Sequence, residues 1–391
     1  MSKNPSIYLD NASTTALDTR VKEAIIAAMD EIGNPSSSHN YGRKARALVE
    51  ENRRTIAHYL HVSPDEITFT SGGTEAANTA IQGAIENLGV KHIITTHTEH
   101  HAILHTAQYH YVKQHIEGLH IVEIDEQGLY NSDHLQQLMH TYPKALVGIM
   151  HANNEIATKV NLEILSQQCK AANTYLLCDT VQTMGYYPFD FQATNLAFAT
   201  CSAHKFHGPK GVGFLYTNPD NMITPSMHGG SQERNRRGGT ENIYGIVGMG
   251  KAIEIAVQEM EENKKHILGI KNYTIHKLKE AFQNNIIFNG DISENSLYRV
   301  LNMSFMPFYG QEMLLENLDI QGIAASGGSA CSSGTSIGSH VIAALPQTKV
   351  NTPALRLSFS KYTTLQEIDT TIEVLKKCCK FNTINELDKT K

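Results

Sequence analysis

Residues 196–211 read Leu-Ala-Phe-Ala-Thr-Cys-Ser-Ala-His-Lys-Phe-His-Gly-Pro-Lys-Gly, an apolar run that passes into a polar turn rich in glycine and proline. The apolar run is typical of a buried strand, and the residues after it mark the point where that strand leaves its sheet. Lys205 lies just past this point. Its amine is therefore expected at the mouth of a sheet, although a surface lysine beside a turn has the same local pattern.

Five further strand-like runs precede this one and alternate with helical patterns. The strand-like runs span 66–70, 92–96, 120–124, 145–150 and 175–179, and the helical patterns span 74–88, 100–116, 132–140 and 161–173. Such alternation predicts an α/β domain whose sheet is mostly parallel and covered by helices on both faces. Ligands of such sheets bind beyond the carboxyl ends of the strands.

A second, smaller domain is predicted toward the C-terminus. A long helical pattern begins near residue 242 and runs through the charged segment 261–265, where it links the two domains. Strands and helices then follow in α+β order. The strands are expected at 300–305 and 354–360, and the helices at 311–318 and 365–379.

Composition narrows the class of protein. The chain has 391 residues, enough for two or three domains, and its net charge of −6 comes from interspersed charges of both signs, which does not predict nucleic-acid binding. No apolar run of 18 or more residues and no apolar signal core is present, so we expect a cytoplasmic protein with no membrane contact. The six cysteines show no C-x-x-C spacing, which favours free thiols over a disulfide framework or a zinc ribbon.

Polar groups follow several of the predicted strands. The run Ser71–Asn78 opens a helix with small residues, which is a natural seat for a phosphate, although an ordinary turn with Thr74 as helix N-cap has the same pattern. Asp179 ends an apolar strand, either as a simple Asx turn or as a carboxylate that keeps a pyridine nitrogen protonated. With Lys205 at the same sheet edge, these groups suit a Schiff base with pyridoxal phosphate.

A histidine-rich stretch follows the strand at 92–96. His100 is placed to stack on a planar cofactor ring, while His97, His101 and His105 have the spacing of one helix face. That spacing also suits a metal site, but no carboxylate of the H-E-x-x-H kind accompanies the three histidines. A solvated histidine face is the interpretation that we favour. Asn153, Asn154 and Glu155 add polar groups past the next strand end.

Together with four more motifs, these segments resemble the cysteine desulfurases, pyridoxal-phosphate enzymes of fold type I in the class-V aminotransferase group. The additional motifs are Tyr8–Thr15, Gly33–Ser37, Met227–Gly230 and Arg237–Thr240, and the resemblance extends from about residue 8 to 375. It implies a large domain with a mostly parallel seven-stranded sheet and a smaller α+β C-terminal domain. The implied boundaries are an N-terminal segment 1–15 associated with the small domain, a large domain 16–258, a small domain 259–380 and a tail 381–391.

The resemblance also assigns roles. Lys205 forms the Schiff base, His100 stacks on the ring and acts in proton transfer, and Asp179 pairs with the pyridine nitrogen. The remaining cofactor contacts implied are Asn154 and Gln182 at the ring hydroxyl side, and Gly73, Thr74, Ser202 and His204 at the phosphate, joined by Thr240 of the other subunit of a homodimer. Arg356 and Asn34 would bind the substrate carboxylate, for which a planar guanidinium is well suited. By itself, Arg356 could equally form an interdomain ion pair.

Cys331 lies in Ser326–Gly334, a segment with little side-chain bulk. A thiol in such a loop can reach a substrate and then an acceptor. The family places its persulfide cysteine here, and the spacing to His340–Leu345 resembles the long-loop group that supplies sulfur for iron–sulfur clusters, with the loop at about 324–340. No resident metal is implied, although Cys331 could contact a nascent iron–sulfur cluster.

The reaction implied by the resemblance removes sulfur from L-cysteine. L-alanine is released, and a persulfide on Cys331 is passed to a sulfur-acceptor or iron–sulfur scaffold protein. A selenocysteine lyase, a cysteine-sulfinate-type lyase or a class-V aminotransferase on the same scaffold are the alternatives, and a catalytically silent sulfur-carrier-binding scaffold is another. The chain departs from the family pattern at Gly327, Cys178, Thr180 and Lys361, none of which removes a predicted catalytic group.

Overall fold

The computed structural model describes residues 7–327, 338–346 and 354–381. Within these ranges the strands are β1 (Ile7–Tyr8), β2 (Ile67–Thr70), β3 (His92–Thr96), β4 (Gly118–Val122), β5 (Leu146–Met150), β6 (Tyr175–Asp179), β7 (Phe198–Ser202), β8 (Gly213–Thr217), β9 (Ile286–Phe288), β10 (Val300–Phe305), β11 (Ile323–Ala324) and β12 (Ala354–Ser358). The helices are α1 (Thr19–Ala28), α2 (Asn40–Tyr59), α3 (Gly73–Asn87), α4 (His101–Val112), α5 (Ser132–Thr141), α6 (Leu162–Ala171), α7 (Gln232–Asn235), α8 (Ile243–Gln258), α9 (Met260–Phe282), α10 (Leu314–Ile320), α11 (His340–Ala344) and α12 (Leu365–Cys378).

Seven strands form the central sheet in the order β2-β8-β7-β6-β5-β3-β4. All neighbours pair in parallel except β8, which runs antiparallel to both β2 and β7. The predicted α/β class with a mostly parallel seven-stranded sheet is therefore confirmed. Because six strands share one direction, their carboxyl ends meet at one edge of the sheet, where ligands bind in such folds.

The central strands are apolar throughout because both faces of the sheet are covered. In β5, Leu146 packs into a cluster with Ile93, Leu177 and the alanines of α3, while the next residue, Val147, packs into the larger core on the opposite face. All five residues of β5 are buried, as are those of β7. A continuous apolar run, and not an alternating one, is the pattern that such strands require.

The small domain is built on the antiparallel sheet β12-β10-β9, with α9 and α12 packed together beside it. The N-terminal strand β1 pairs in parallel with β11, and Asp10 forms a bridge to Ser358 at the end of β12. Residues 7–10 thus run along the small domain before the chain reaches the central sheet. Helix α8 ends at Gln258, and α9 begins at Met260.

Several predicted elements differ in detail from the structure. Strand β4 lies two residues earlier than the predicted 120–124, and the long helical pattern after residue 242 is two helices that separate at Glu259. Helices α1 and α2 and the reversed strand β8 were not predicted. None of the helices in the described ranges has both the length and the apolarity needed to cross a bilayer.

Candidate active site

A cavity of about 440 Å³ opens at the carboxyl ends of β2, β3, β5, β6 and β7. Strand β12 of the small domain also reaches it through Arg356. Ten of the predicted site residues line this cavity: Gly73, Thr74, His100, Asn154, Asp179, Gln182, Ser202, His204, Lys205 and Arg356. The structure therefore brings together side chains that are spread over most of the sequence.

Lys205 lies three residues past the end of β7, in a single turn of 3-10 helix. Its Nζ donates hydrogen bonds to the backbone carbonyls of Ala12, at 2.7 Å, and Ser13, at 2.8 Å. Burial and, after it, the nearby cations Arg299 and Arg356 lower the pKa of Lys205 to about 8, although the carboxylates of Asp179 and Asp10 act to raise it. A sizeable neutral fraction near physiological pH gives this amine the character of a nucleophile or a general base.

Asp179 is the last residue of β6 and is buried at the floor of the cavity. Its Oδ1 accepts hydrogen bonds from the Val181 amide, at 2.9 Å, and from the Thr200 hydroxyl, at 3.1 Å. Gln182, one turn later, donates to the carbonyl of Ala12 at 3.0 Å, while its Oε1 is buried without a partner among the described residues. A buried acceptor that is left unpaired at a cavity wall marks a place for a ligand donor.

His100 is the N-cap of α4, and its Nδ1 accepts a hydrogen bond from the Ala102 amide at 3.1 Å. Because Nδ1 is an acceptor, the neutral ring carries its proton on Nε2. The ring is open to the cavity, yet the surrounding protein removes enough water to lower the pKa of His100, with Lys205 adding to the effect. A neutral, accessible imidazole face can stack on a planar ring and donate a proton from Nε2.

Of the other histidines of this region, His97 precedes α4, whereas His101 and His105 lie on one face of that helix. His101 stacks on His105, with ring centroids 4.1 Å apart, and its Nε2 lies 3.2 Å from Nδ1 of His340. His340 also lies 3.0 Å from the Glu99 carbonyl, which only accepts, so Nε2 of His340 carries a proton. In the described parts of the chain, no three histidine, cysteine or acidic residues are arranged to hold a metal ion.

The predicted phosphate seat is the N-terminus of α3. The helix is capped by Gly72, not by Thr74, and Gly72 offers no side chain to satisfy the first amides. A Cβ on Gly73 would lie only 2.6 Å from Cγ2 of Val181, so the backbone of Gly73 is in close contact with the Val181 side chain. Fifteen residues of helix begin at this point, and their open amide groups and dipole favour an anion.

His204 lies three residues after Cys201 in sequence and also lines the cavity. Its Nδ1 is 3.1 Å from the Thr14 hydroxyl, and burial lowers the pKa of His204 to about 4. The ring is therefore neutral at physiological pH and can donate one hydrogen bond without bringing a charge.

Arg356 in β12 is held by three hydrogen bonds. Nη2 donates to the Asp10 carboxylate at 2.8 Å and to the Ser13 hydroxyl at 2.7 Å, and Nη1 donates to the Asn154 carbonyl at 3.0 Å. Its side chain is only 4% exposed, and Nε has no partner among the described residues. The ion pair of Arg356 is formed with Asp10, in the segment that runs along the small domain, and does not join two domains. The carboxylate-binding role is compatible with this pair, because donors of the guanidinium are left over.

Two predicted residues lie away from the cavity. Asn34 is exposed, and its Oδ1 accepts the Ser36 amide at 2.9 Å. Thr240 is also exposed and lines a separate cavity of about 150 Å³ with Ser71 and other residues. Cys331 lies outside the described residues.

Sequence reasoning missed three residues at this site. Arg299 is fully buried beneath Lys205, and Glu99 is fully buried beside His100, where burial raises the pKa of its carboxyl well above the usual value. His340 lines the cavity from the small domain. No local pattern distinguishes Arg299, whereas Glu99 lies three residues after the end of β3 and next to His100, which is a predicted site residue.

Comparison with known proteins identifies the family of this chain. The aminotransferase class-V family model matches residues 7–371. The cysteine desulfurase IscS of Dictyoglomus turgidum is 40% identical over 380 residues, covering 95% of this chain and 94% of the relative, and the putative cysteine desulfurase IscS 1 of Bacillus subtilis is 39% identical over 374 residues, covering 93% and 96%. A solved structure described as a NifS-like protein is 35% identical with a TM-score of 0.87, and the match covers 95% of this chain and 99% of that chain. This chain therefore belongs to the class-V aminotransferase family and, within it, to the cysteine desulfurases.

Proposed function

We propose that this protein is a pyridoxal-phosphate-dependent cysteine desulfurase that moves the sulfur of L-cysteine onto Cys331 and releases L-alanine. The observation that carries the proposal is one cavity in which the Lys205 amine, the Asp179 carboxylate and the Arg356 guanidinium face a common space. A cation for the substrate carboxylate, a base and a cofactor anchor are the groups that such a reaction requires.

The residues present fit pyridoxal phosphate, which the family uses. The uncapped N-terminus of α3 suits the phosphate, and the buried Asp179 suits a protonated ring nitrogen. Gln182 lines the same cavity, and its buried Oε1 lacks a hydrogen-bond partner among the described residues. When bound, the cofactor supplies an electron sink for the electron pair on the substrate Cα. Lys205 is the residue that we propose holds it covalently.

The protein's own residues then have separate tasks. Once released, the Lys205 amine takes the Cα proton, and its pKa of about 8 suits a base at physiological pH. Arg356 orients the substrate through its carboxylate, with Asn34 proposed to assist. His100, with its proton on Nε2, is the proposed proton donor during the sulfur step.

Cys331 is the proposed sulfur acceptor. Its thiolate attacks the sulfur of L-cysteine, so that an S–S bond forms while the Cβ–S bond breaks and its electron pair stays with carbon. The carbon skeleton takes up a proton and leaves as L-alanine. The sum of the reaction is L-cysteine plus thiol giving L-alanine plus persulfide, which needs no external oxidant.

The test is a single incubation of the purified protein with L-cysteine, with alanine quantified and Cys331 analysed by mass spectrometry. We expect one added sulfur on Cys331 and an equal amount of alanine. Cys331→Ser should abolish both, whereas Cys378→Ser, a change at a half-buried cysteine on α12, should not. Alanine formation retained in Cys331→Ser would favour a lyase, and a keto acid product would favour an aminotransferase.

We further propose a cytoplasmic homodimer in which Thr240 of each subunit completes the cofactor site of the other. Support comes from the exposed position of Thr240, away from the cavity of its own chain. Mixing Lys205→Ala with Thr240→Ala subunits tests this, because only a contribution across the interface leaves one intact site in the hybrid. Recovery of activity is expected, and a hybrid as inactive as both parents would contradict the proposal.

The persulfide sulfur is proposed to pass to a sulfur-acceptor or iron–sulfur scaffold protein. Incubation of persulfidated protein with a candidate acceptor should move the added sulfur from Cys331 to an acceptor cysteine. Retention of all the sulfur on Cys331 would exclude that acceptor.

A further inference from the structure

Arg299 is a fully buried cation directly before β10 in the small domain, with none of its side chain exposed. No ion pair to a carboxylate involves it among the described residues, and its Nε lacks a hydrogen-bond partner in that same set. Burial of a charge without a counterion costs free energy, so we expect Arg299 to have a structural or functional role that offsets this cost.

The contacts of Arg299 converge on the reactive lysine. Nη1 donates to the backbone carbonyl of Lys205 at 2.9 Å, and Nη2 donates to the backbone carbonyl of Asn11. The guanidinium lies over the ring of Tyr186, 4.2 Å from its centroid, and the Tyr186 hydroxyl donates to the same Lys205 carbonyl at 2.9 Å. Two donors from separate parts of the chain therefore fix one carbonyl.

These contacts close a ring of interactions. Arg299 holds the backbone of Lys205 on one side and that of Asn11 on the other, while Lys205 Nζ donates to the carbonyls of the next two residues, Ala12 and Ser13. The lysine backbone, the amine and both acceptors of the amine are thus tied to a single planar guanidinium. A planar fork with fixed donor directions suits this task better than an ammonium does.

We propose that Arg299 is a positioning residue for Lys205. Arg299 holds the backbone of Lys205 in a fixed position relative to the segment whose carbonyls accept hydrogen bonds from the Lys205 amine. The inference rests on the proposed function, since it takes Lys205 as the reactive amine. The charge of Arg299 adds to this role, because it is the first of the nearby charges, after burial, in lowering the pKa of Lys205. Position and proton affinity of the amine are then set by the same side chain.

The experiment compares four variants of the full-length chain freed of cofactor. Arg299→Met removes the charge and both hydrogen bonds, and Arg299→Lys keeps the charge but loses the planar fork. Tyr186→Phe removes only the neutral donor to the Lys205 carbonyl. Lys271→Met is the matched control, because Lys271 is also a buried cation of the small domain, 1% exposed, but is not among the charges that shift Lys205.

Two readouts separate charge from geometry. The first is the pH midpoint of Lys205 acetylation by acetic anhydride, followed by peptide mass analysis, and the second is the rate of pyridoxal phosphate uptake at a pH above that midpoint. Arg299→Met should move the midpoint by roughly one pH unit to the alkaline side, as expected for removal of a nearby like charge. Arg299→Lys should keep the midpoint but slow cofactor uptake by about tenfold or more, because the amine is no longer held in place.

Tyr186→Phe and Lys271→Met should leave the midpoint unchanged, whatever they do to the melting temperature. The proposal is overturned if Arg299→Met leaves the midpoint where it is, or if Lys271→Met moves it equally. It is also overturned if Arg299→Lys takes up cofactor at the wild-type rate. Neither readout depends on the fate of L-cysteine, so a protein that failed to release alanine would refute the proposed function and leave this test intact.

Discussion

Substitution of Arg356 by lysine should weaken L-cysteine binding while the fold and the cofactor site remain. The guanidinium donates three hydrogen bonds, to Asp10, Ser13 and Asn154, and because it has more N–H donors than these bonds use, donors remain for a ligand of the cavity that Arg356 lines. A lysine at this position keeps the positive charge beside Asp10, so that the Asp10 carboxylate keeps an ion-pair partner. What it loses is the additional, directed donor for the substrate carboxylate.

The size of the effect follows from that one contact. A charge-assisted hydrogen bond contributes about 1.5–3 kcal/mol, and each 1.4 kcal/mol corresponds to a factor of about ten. We therefore expect kcat/KM for L-cysteine to fall by roughly 10- to 150-fold in Arg356→Lys. The loss should fall mainly on KM, because the carboxylate is held equally in the ground state and the transition state.

The assay is alanine release at varied L-cysteine concentration, combined with the absorbance change of the bound cofactor on addition of cysteamine. Cysteamine has the amine and the thiol of cysteine but no carboxylate. Its apparent affinity should be the same in wild type and Arg356→Lys. Equal weakening toward both compounds would refute the assignment, since it would mean that Arg356 acts on the cavity as a whole.

Three further predictions follow from individual contacts. The rate of cofactor uptake by the cofactor-free protein should rise with pH through a midpoint near pH 8 and level off above it, because only the neutral amine of Lys205 reacts and its pKa is lowered, chiefly by burial, to about 8; a midpoint near the ordinary value of 10.5 would contradict this. In urea denaturation, Glu233→Gln should lower the free energy of unfolding by about 3–5 kcal/mol, because it breaks the buried pair with Arg53 at 2.7 Å. Glu50→Gln, at the more exposed partner of the same arginine, should cost about 1 kcal/mol or less, and similar losses in the two variants would show that burial is not the cause. Gly73→Ala should raise the Kd for pyridoxal phosphate about tenfold, measured by fluorescence titration, because the added Cβ overlaps Val181 and displaces the start of α3; an unchanged Kd would show that the backbone there yields without cost.

Much of this site could be predicted because its main residues share one local pattern. Asp179, His100 and Lys205 each follow a short apolar run, and in a mostly parallel sheet all such positions meet at one edge. Strand β8 was missed although its signal is present, since Gly213–Thr217 is a buried run between a glycine turn and Asn218-Pro219. Its reversed direction is set by pairing with two strands, which no local pattern reports.

Arg299 could not be found in the same way. It lies 94 residues from Lys205 in sequence, and a single arginine beside an apolar strand is equally typical of a surface position. Only the packing of the small domain against the central sheet turns it inward. Long-range contacts of this kind form only when the small domain packs against the central sheet. The position of a strand end, in contrast, is determined by the residues next to it in sequence.

In the proposed reaction, the segment 10–13 joins substrate binding to proton transfer. Asp10 and Ser13 accept hydrogen bonds from Arg356, and the carbonyls of Ala12 and Ser13 accept those of Lys205. Carbonyl acceptors hold the amine in place without a full negative charge, so deprotonation costs less than it would beside a carboxylate. Because one stretch of backbone serves both cations, a displacement of about 1 Å would misplace the substrate and its base together.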